Sequence, residues 1–182
     1  HELRTPLNSI DGFIHLLLRQ DNLNNDQNLY LQTIRKSSAH LLALINDVLD
    51  FSKIDAGKLE LDTATFDLEE AIFDVMDMLS PLAAQKHIDM AFYYADNVPK
   101  HVVGDALRFK QILTNLISNA IKFTPDGEII VRARMEQDDI GQCLLHFSVQ
   151  DSGIGLSGTD RKKLFESFSQ GDASVTRQFG GT

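Results

Sequence analysis

The chain has 182 residues, of which 43% are hydrophobic, and a formal net charge of −9. This length allows one or two domains with a hydrophobic core, and the negative charge leaves no basic surface, so we expect no nucleic-acid partner. No apolar run approaches the ~20 residues of a membrane-spanning helix, so we expect no membrane contact by this chain. The single cysteine, Cys143, lies in an apolar-rich run, which predicts a buried thiol.

Two heptad patterns predict a helical hairpin at the start of the chain. In the first pattern apolar residues recur at steps of four and three, at Leu3, Leu7, Ile10, Ile14 and Leu17. Turn-forming residues at 21–26 interrupt the pattern. The second seam consists of Tyr30, Ile34, Leu41, Ile45 and Val48, and Gly57 ends it. Further leucines widen the apolar surface, so we expect two chains to form a four-helix bundle.

After Gly57 the period changes, and the remaining sequence predicts an α+β sandwich with helices on one side of a mixed, mainly antiparallel sheet. Predicted strands cover 58–66, 88–95, 128–135 and 143–149. Predicted helices begin at Asp67, Ala106 and Asp160, and Pro81 should kink or break the first of them. The change of pattern divides the chain into domains 1–58 and 59–182.

One face of the long helix over 106–123 carries a polar stripe. The stripe residues recur at steps of four, four and three: Gln111, Asn115, Asn119 and Lys122. The residues assigned to the opposite, buried side are Ile112, Leu113, Leu116, Ile117 and Ala120. Asparagine is a poor helix former, so a pair at i and i+4 indicates binding. An asparagine oxygen suits Mg²⁺, and a lysine suits phosphate.

The stretch Asp151-Ser152-Gly153-Ile154-Gly155 follows the last predicted strand. A carboxylate can accept a hydrogen bond from the exocyclic amine of adenine, and glycines let the backbone approach a flat base. Such a stretch is also typical of an ordinary turn. Its position after the asparagine stripe favours a nucleotide site.

The chain opens with His1-Glu2-Leu3-Arg4-Thr5-Pro6. Thr5 lies at i+4 and therefore on the His1 face of a helix, whereas Glu2 points about 100° away. Two local structures are open. In one, Thr5 caps a helix that begins at Pro6; in the other, a continuous helix runs through His1 and kinks at Pro6. The unequal lengths of the two predicted helices favour the continuous helix.

These motifs, in this order, resemble the histidine box, asparagine box and first glycine box of two-component sensor histidine kinases, in particular the GacS/BarA type of hybrid kinase. Phe165-Glu166-Ser167-Phe168 resembles the phenylalanine box of that family. The resemblance implies an antiparallel helical hairpin that forms a dimeric four-helix bundle. It also implies a Bergerat-type (GHKL) α/β sandwich after the hairpin.

The same resemblance implies an ATP-dependent protein histidine kinase that uses Mg²⁺. His1 would accept the γ-phosphoryl group, Glu2 would be its acid–base partner, and Thr5 would orient water during hydrolysis. The implied nucleotide ligands are Asn115, Asn119, Lys122, Phe123, Asp151, Gly153, Gly155, Phe168, Arg177 and Gly181, with Asn119 on the metal. The implied partners are a second copy of the chain and the receiver domain of a response regulator, separate or in the same parent chain.

The chain begins at a histidine and ends at Gly180-Gly181-Thr182, where the second glycine box would start. We therefore expect a piece of a longer protein, the cytoplasmic portion of a bacterial inner-membrane sensor. Its ATP-binding domain should be incomplete at the C-terminal end, so that the piece binds ATP weakly or not at all. Two alternatives are an ATP-driven clamp of the gyrase type and a dimerising pseudokinase scaffold. Against the clamp, Asn115 stands where those ATPases carry a glutamate base; against the pseudokinase, His1, Asn119 and Asp151 are intact.

Overall fold

The computed structural model describes residues 4–20, 22–139 and 142–155. The chain divides into two compact units, His1–Glu60 and Leu61–Thr182. The helices of the first unit are α1 (Arg4–Leu18) and α2 (Asn25–Asp55). The elements of the second unit are β1 (Ala64–Asp67), α3 (Leu68–Ala84), β2 (Ile88–Tyr94), β3 (His101–Gly104), α4 (Ala106–Phe123), β4 (Gly127–Asp139) and β5 (Gln142–Asp151). Within the described ranges no helix is both long and apolar enough to cross a membrane.

A side-chain cap fixes the start of α2, and a glycine follows its end. The Asn24 side chain accepts a hydrogen bond from the Gln27 N–H at 2.8 Å, and the Gln27 side chain accepts one from the Asn24 N–H at 2.9 Å. This reciprocal pair is a capping box, which satisfies two backbone donors at the helix start. At the other end Gly57 has a φ of 64°, a conformation that favours glycine. The predicted helix stop is confirmed.

The start of α1 decides between the two local structures that the sequence left open. The helix already includes Arg4 and Thr5. Thr5 therefore lies inside the helix, and the interpretation in which it caps a helix beginning at Pro6 is wrong. The prediction of a continuous helix holds over the described part of this segment.

The contact between α1 and α2 differs from the predicted seams. Leu7 and Ile14 of α1 are buried, as is Ser38 of α2. The other members of the two seams that the structure places in solvent are Ile10, Leu17, Tyr30, Ile34, Leu41 and Val48. A heptad pattern specifies an apolar stripe without specifying which helix covers it, and these exposed residues agree with the expectation that the hairpin alone leaves part of its apolar surface uncovered.

The second unit contains two sheets. β1 pairs antiparallel with β3, with Ala64 opposite Gly104. In the other sheet β4 lies between β2 and β5, parallel to β2 and antiparallel to β5. The mixed sheet is therefore confirmed. The parallel strands β2 and β4 are joined by a long crossover connection that includes α4, as parallel pairing requires.

A hydrophobic core joins α3 and α4 to the three-stranded sheet. The largest fully buried apolar side chains of this core are those of Leu68, Ile72, Ile117, Ile129 and Val131. In β4 the buried residues alternate, at Ile129, Val131 and Ala133, as expected for a strand with one face against helices. Each fully buried large aliphatic side chain contributes roughly 1.5–3 kcal/mol. This core fixes the position of α4, which carries the polar stripe.

Three predictions about this unit need correction, and one strand was missed. The strand predicted over 58–66 occupies only Ala64–Asp67, and β3 was not predicted. α3 continues through Pro81 to Ala84, so the predicted break is wrong, and the Ser80 hydroxyl donates to the Asp77 carbonyl at 3.0 Å. That carbonyl is the acceptor that the missing N–H of Pro81 would have bonded. Cys143 is exposed, not buried, because it lies near the end of the β4–β5 hairpin.

Candidate nucleotide-binding site

α4 is held at its start by Asp105, whose side chain accepts a hydrogen bond from the Arg108 N–H at 2.9 Å. The residues of α4 that face the core are Leu113, Ile117, Ala120 and Ile121. Ile112 and Leu116 are 64% and 46% exposed, so their assignment to the buried side is wrong. The buried face is centred on Ile117, and at 3.6 residues per turn Leu116 lies about 100° and Ile112 about 140° from that centre, so both fall outside it.

The polar stripe lies on the solvent side of α4, as predicted. Asn115 and Asn119 are exposed, and the Asn119 amide nitrogen donates to the Asn115 side-chain oxygen at 3.5 Å. Gln111 instead accepts a hydrogen bond from the Arg108 guanidinium at 2.8 Å. The Lys122 ammonium lies 5.4 Å from the centroid of the Phe123 ring. The two asparagines and Lys122 are therefore the part of the stripe available to a ligand.

The Asp151–Gly155 loop begins where β5 ends, as predicted. Its first two residues are held by the loop itself and by β4. The Asp151 carboxylate accepts a hydrogen bond from the Gly153 N–H at 2.9 Å, and the Ser152 hydroxyl accepts one from the Glu128 N–H at 2.9 Å. The Ile154 N–H donates to the Phe123 carbonyl at 3.3 Å. The structure thus brings Asp151, the residue predicted to bind adenine, to the C-terminal end of α4.

Gly153 allows this close approach. A Cβ atom there would lie 2.5 Å from the Phe123 carbonyl oxygen, 2.8 Å from the Asp151 carboxylate and 2.9 Å from the Thr124 hydroxyl oxygen. Real Cβ atoms do not come this close to backbone or carboxylate oxygens, so a side chain at 153 would push the loop away from α4. Gly155 has open space around its Cα but a φ of 67°, which strains other residues. Packing against α4 is thus a further reason for a glycine at 153.

Thr124 is a site neighbour that sequence reasoning missed. It is fully buried, and within the part of the chain that the structure describes its hydroxyl has no hydrogen-bond partner. The hydroxyl oxygen and the Asp151 carboxylate both border the position that a Gly153 side chain would occupy. A threonine after a helix carries no sequence signal for such a buried position.

The remaining predicted site residues divide into two groups. Thr5 is described, is exposed, and belongs to α1 in the first unit. The others lie outside the described residues: His1, Glu2, Phe168, Arg177 and Gly181.

A cavity of about 830 Å³ also lies in the second unit. Its walls come from both sheets and α4 and include Phe66, Phe109, Cys143 and Phe147. None of the predicted nucleotide ligands lines it. Its walls mix apolar residues with polar ones such as Asn97 and His101, and among the described residues no lysine or arginine that could bind phosphate lines it.

Two family models match the chain. Residues 1–57 match the His Kinase A (phospho-acceptor) domain. Residues 104–182 match the histidine kinase-, DNA gyrase B-, and HSP90-like ATPase family. This matched range contains the asparagine stripe and the Asp151–Gly155 loop.

Curated relatives match the whole chain. It is 50% identical over 182 residues to the sensor histidine kinase GacS of Pseudomonas protegens. It is 42% identical over 182 residues to the signal transduction histidine-protein kinase BarA of Escherichia coli. Each match covers 100% of this chain and 20% of the relative, so the chain spans about a fifth of their length.

Solved structures resemble both units. Full-length ShkA in complex with AMPPNP aligns with a TM-score of 0.77 at 37% identity, covering 97% of this chain and 37% of that one. The histidine kinase ThkA in complex with the response regulator protein TrrA aligns with a TM-score of 0.58 at 26% identity, covering 97% and 51%. A phospho-acceptor hairpin followed by an ATPase-type sandwich, with relatives of this kind over its full length, means that the chain belongs to the two-component sensor histidine kinases.

Proposed function

We propose that the chain is the catalytic core of a sensor histidine kinase, with a phosphoacceptor domain at residues 1–58 and an ATP-binding domain at 59–182. It transfers the γ-phosphoryl group of ATP to His1 and then to an aspartate of a response regulator. The observation that carries this proposal is the direct attachment of the Asp151–Gly155 loop to the end of α4, through the hydrogen bond from Ile154 to Phe123.

The residues at the end of α4 suit a nucleotide with its metal. The Asn119 amide nitrogen is used by Asn115, which leaves the Asn119 oxygen for Mg²⁺. Over the described ranges no three histidine, cysteine, aspartate or glutamate side chains converge on one point, so the other Mg²⁺ ligands would be phosphate oxygens and water. Bound Mg²⁺ would neutralise charge on the phosphates. Lys122 adds a positive charge for the phosphates, and the Asp151 carboxylate accepts a hydrogen bond from the exocyclic amine of adenine.

In the phosphoryl transfer, one imidazole nitrogen of His1 attacks the γ-phosphorus while the bond from that phosphorus to the β–γ bridging oxygen breaks and ADP leaves. Glu2 takes the proton from the other imidazole nitrogen, and Thr5 orients water for hydrolysis of the phosphorylated form. Little covalent chemistry falls to the protein. The rate therefore depends mainly on how the nucleotide and His1 are positioned against each other.

The proposed partners are a second copy of the chain, bound through the hairpin, and a receiver domain. The exposed apolar side chains of α1 and α2 support the first, and the complex of the kinase ThkA with TrrA supports the second.

We also propose that the chain is the cytoplasmic portion of a bacterial inner-membrane sensor, since its relatives are sensor kinases about five times its length. Fractionation of the parent protein checks this, and recovery outside the membrane pellet would contradict it.

The test uses an extended protein, in which residues 1–182 replace the matching segment of GacS, incubated with ATP labelled at the γ-phosphate. The wild type should acquire an acid-labile, base-stable label. His1→Gln should abolish the label while AMPPNP affinity stays within a few-fold, because His1 only accepts the phosphoryl group. Asn119→Ala should instead lose Mg²⁺-dependent AMPPNP binding. Label retained on His1→Gln overturns the proposal, and unlabelled wild type would point to the pseudokinase alternative.

A further inference from the structure

The C-terminal end of α4 cannot be capped by the residues that follow it. Thr124 donates its N–H to the Ala120 carbonyl at 3.0 Å, but its backbone is extended, with a φ of −101° and a ψ of 115°, so it does not form a left-handed cap that would bond the later carbonyls. The donor that a continuing helix would offer to the Ile121 carbonyl is the N–H of residue 125. That residue is Pro125, which has none. The carbonyls over 121–124 therefore need donors from elsewhere in the chain.

Lys86 supplies most of these donors. Its ammonium donates to the carbonyl of Ile121 at 2.7 Å and to that of Lys122 at 3.0 Å, with a longer contact of 3.5 Å to that of Thr124. The Phe123 carbonyl accepts from the Ile154 N–H instead. An ammonium has three donors, and all three point at this helix end. A cation beside the last turn is also favoured by the helix dipole.

The backbone of Lys86 is fixed in turn. Its N–H donates to the Ala83 carbonyl at 3.0 Å, and the His87 N–H donates to the Ala84 carbonyl at 3.1 Å. His87 has a φ of 57°, which ends α3 and turns the chain into β2. The Lys86 side chain therefore reaches α4 from an ordered connection between two core elements.

We propose that Lys86 is a positioning residue for the nucleotide site. It fixes residues 121–124, which carry Lys122 and Phe123. Through the Phe123 carbonyl it also sets the attachment of Ile154, and with it the Asp151–Gly155 loop. The part of this inference that concerns nucleotide rests on the proposed function.

Lys86→Met tests the inference, because methionine keeps an unbranched apolar stem and removes the ammonium. Amide hydrogen exchange of the 182-residue chain should become faster at Thr124 and Ile154 and stay unchanged in the interior of α3. In the extended protein, the Kd for AMPPNP should rise about tenfold while the phosphorylation rate at saturating ATP changes less than twofold. Lys86→Arg should recover part of the affinity, since a guanidinium can also donate to several carbonyls.

Lys100→Met is the matched control, since it removes the same charge from a lysine that is 65% exposed and pairs with Asp67 at 3.4 Å. It should change neither the exchange at Thr124 nor the Kd. Unchanged local exchange and an unchanged Kd in Lys86→Met overturn the inference, as does faster exchange spread evenly over the second unit. If wild-type extended protein binds no AMPPNP, the proposed function fails, and local exchange at Thr124 and Ile154 still decides whether Lys86 holds the helix end.

Discussion

Thr124 carries a polar group into the core of the second unit. The residue is fully buried, and its hydroxyl has no hydrogen-bond partner among the residues that the structure describes. A buried hydroxyl without a partner lowers the free energy of unfolding, because it loses its bonds to water on folding. Its neighbours include the oxygens of Asp151 and Phe123, which crowd the same side of Gly153.

Thr124→Val should therefore stabilise the chain. Valine keeps the branched shape and removes the hydroxyl, so urea unfolding should give a free energy of unfolding higher by about 1 kcal/mol. The control Thr65→Val changes an exposed strand residue and should alter that free energy by less than about 0.5 kcal/mol. A loss of stability in Thr124→Val would contradict the prediction and indicate a bound water bonded to the hydroxyl.

Among single residues, the sequence predicted the ones whose chemistry is unusual for their place. Asn115 and Asn119 were predicted because asparagine is costly inside a helix, and Asp151 because of the glycines that follow it. Lys86 and Thr124 could not be found this way. A lysine after a helix and a threonine before a proline are ordinary residues, and their roles arise from contacts with segments distant in sequence.

Among the elements, α3 and α4 both begin at an aspartate that caps the helix. Asp67 accepts a hydrogen bond from the Glu70 N–H at 3.0 Å, and this bond, together with nearby Lys100, lowers the pKa of its carboxyl below the usual 3.8. Asp105 accepts from the Arg108 N–H and from the Asp62 N–H, and these bonds with the Arg108 charge lower its pKa as well. Both helices are thus held by groups that prefer the charged form.

The two caps predict a defined pH dependence. A carboxyl whose pKa is lower in the folded state stabilises the fold above its unfolded pKa, and this contribution is lost as the pH falls through the folded pKa. The Tm of the chain should therefore fall as the pH drops below about 4. The double variant Asp67→Asn/Asp105→Asn should flatten that fall while changing the Tm less at pH 7, because asparagine also caps helices but does not titrate.

Asp126→Asn is the control for this experiment, since Asp126 is exposed in the turn before β4 and caps no helix. It should leave the slope of Tm against pH unchanged. An equally steep slope in the double cap variant would show that acid unfolding depends on other carboxylates.

Elements were predictable where their end signals are local. The bounds of α4 agree with the prediction because Asp105 and Pro125 delimit it. The pair β1 and β3 was not placed correctly because each strand has only four residues and finds its partner across α3 and β2. Their pairing depends on long-range contacts that a short window of sequence does not contain.

For the whole molecule, the hairpin leaves more apolar surface uncovered than a stable helix pair should. Exposed apolar side chains on α2 include Leu41, Leu44 and Val48, which follow one stripe at steps of three and four. Most of the described residues of the two heptad seams are likewise exposed. An uncovered stripe of this length is typical of a helix that pairs with another chain.

Leu41→Lys/Val48→Lys should therefore convert the chain to a monomer. Wild type should sediment at twice the chain mass of 20.4 kDa. Burying each such side chain contributes roughly 1.5–3 kcal/mol, and a two-fold interface contains every residue twice. The dissociation constant of the dimer should accordingly rise at least about 100-fold, as measured by analytical ultracentrifugation over a concentration series.

Asn28→Lys/Gln32→Lys is the matched control, because it also adds two lysines to α2. Both residues are exposed, and Gln32 lies nine residues from Leu41, about two and a half turns away and so on the opposite side of α2. This variant should remain dimeric. A dimer that persists in the leucine and valine variant would show that the stripe is not the interface. A wild type that is already monomeric would show that the exposed apolar side chains of the hairpin do not pair two copies of this chain.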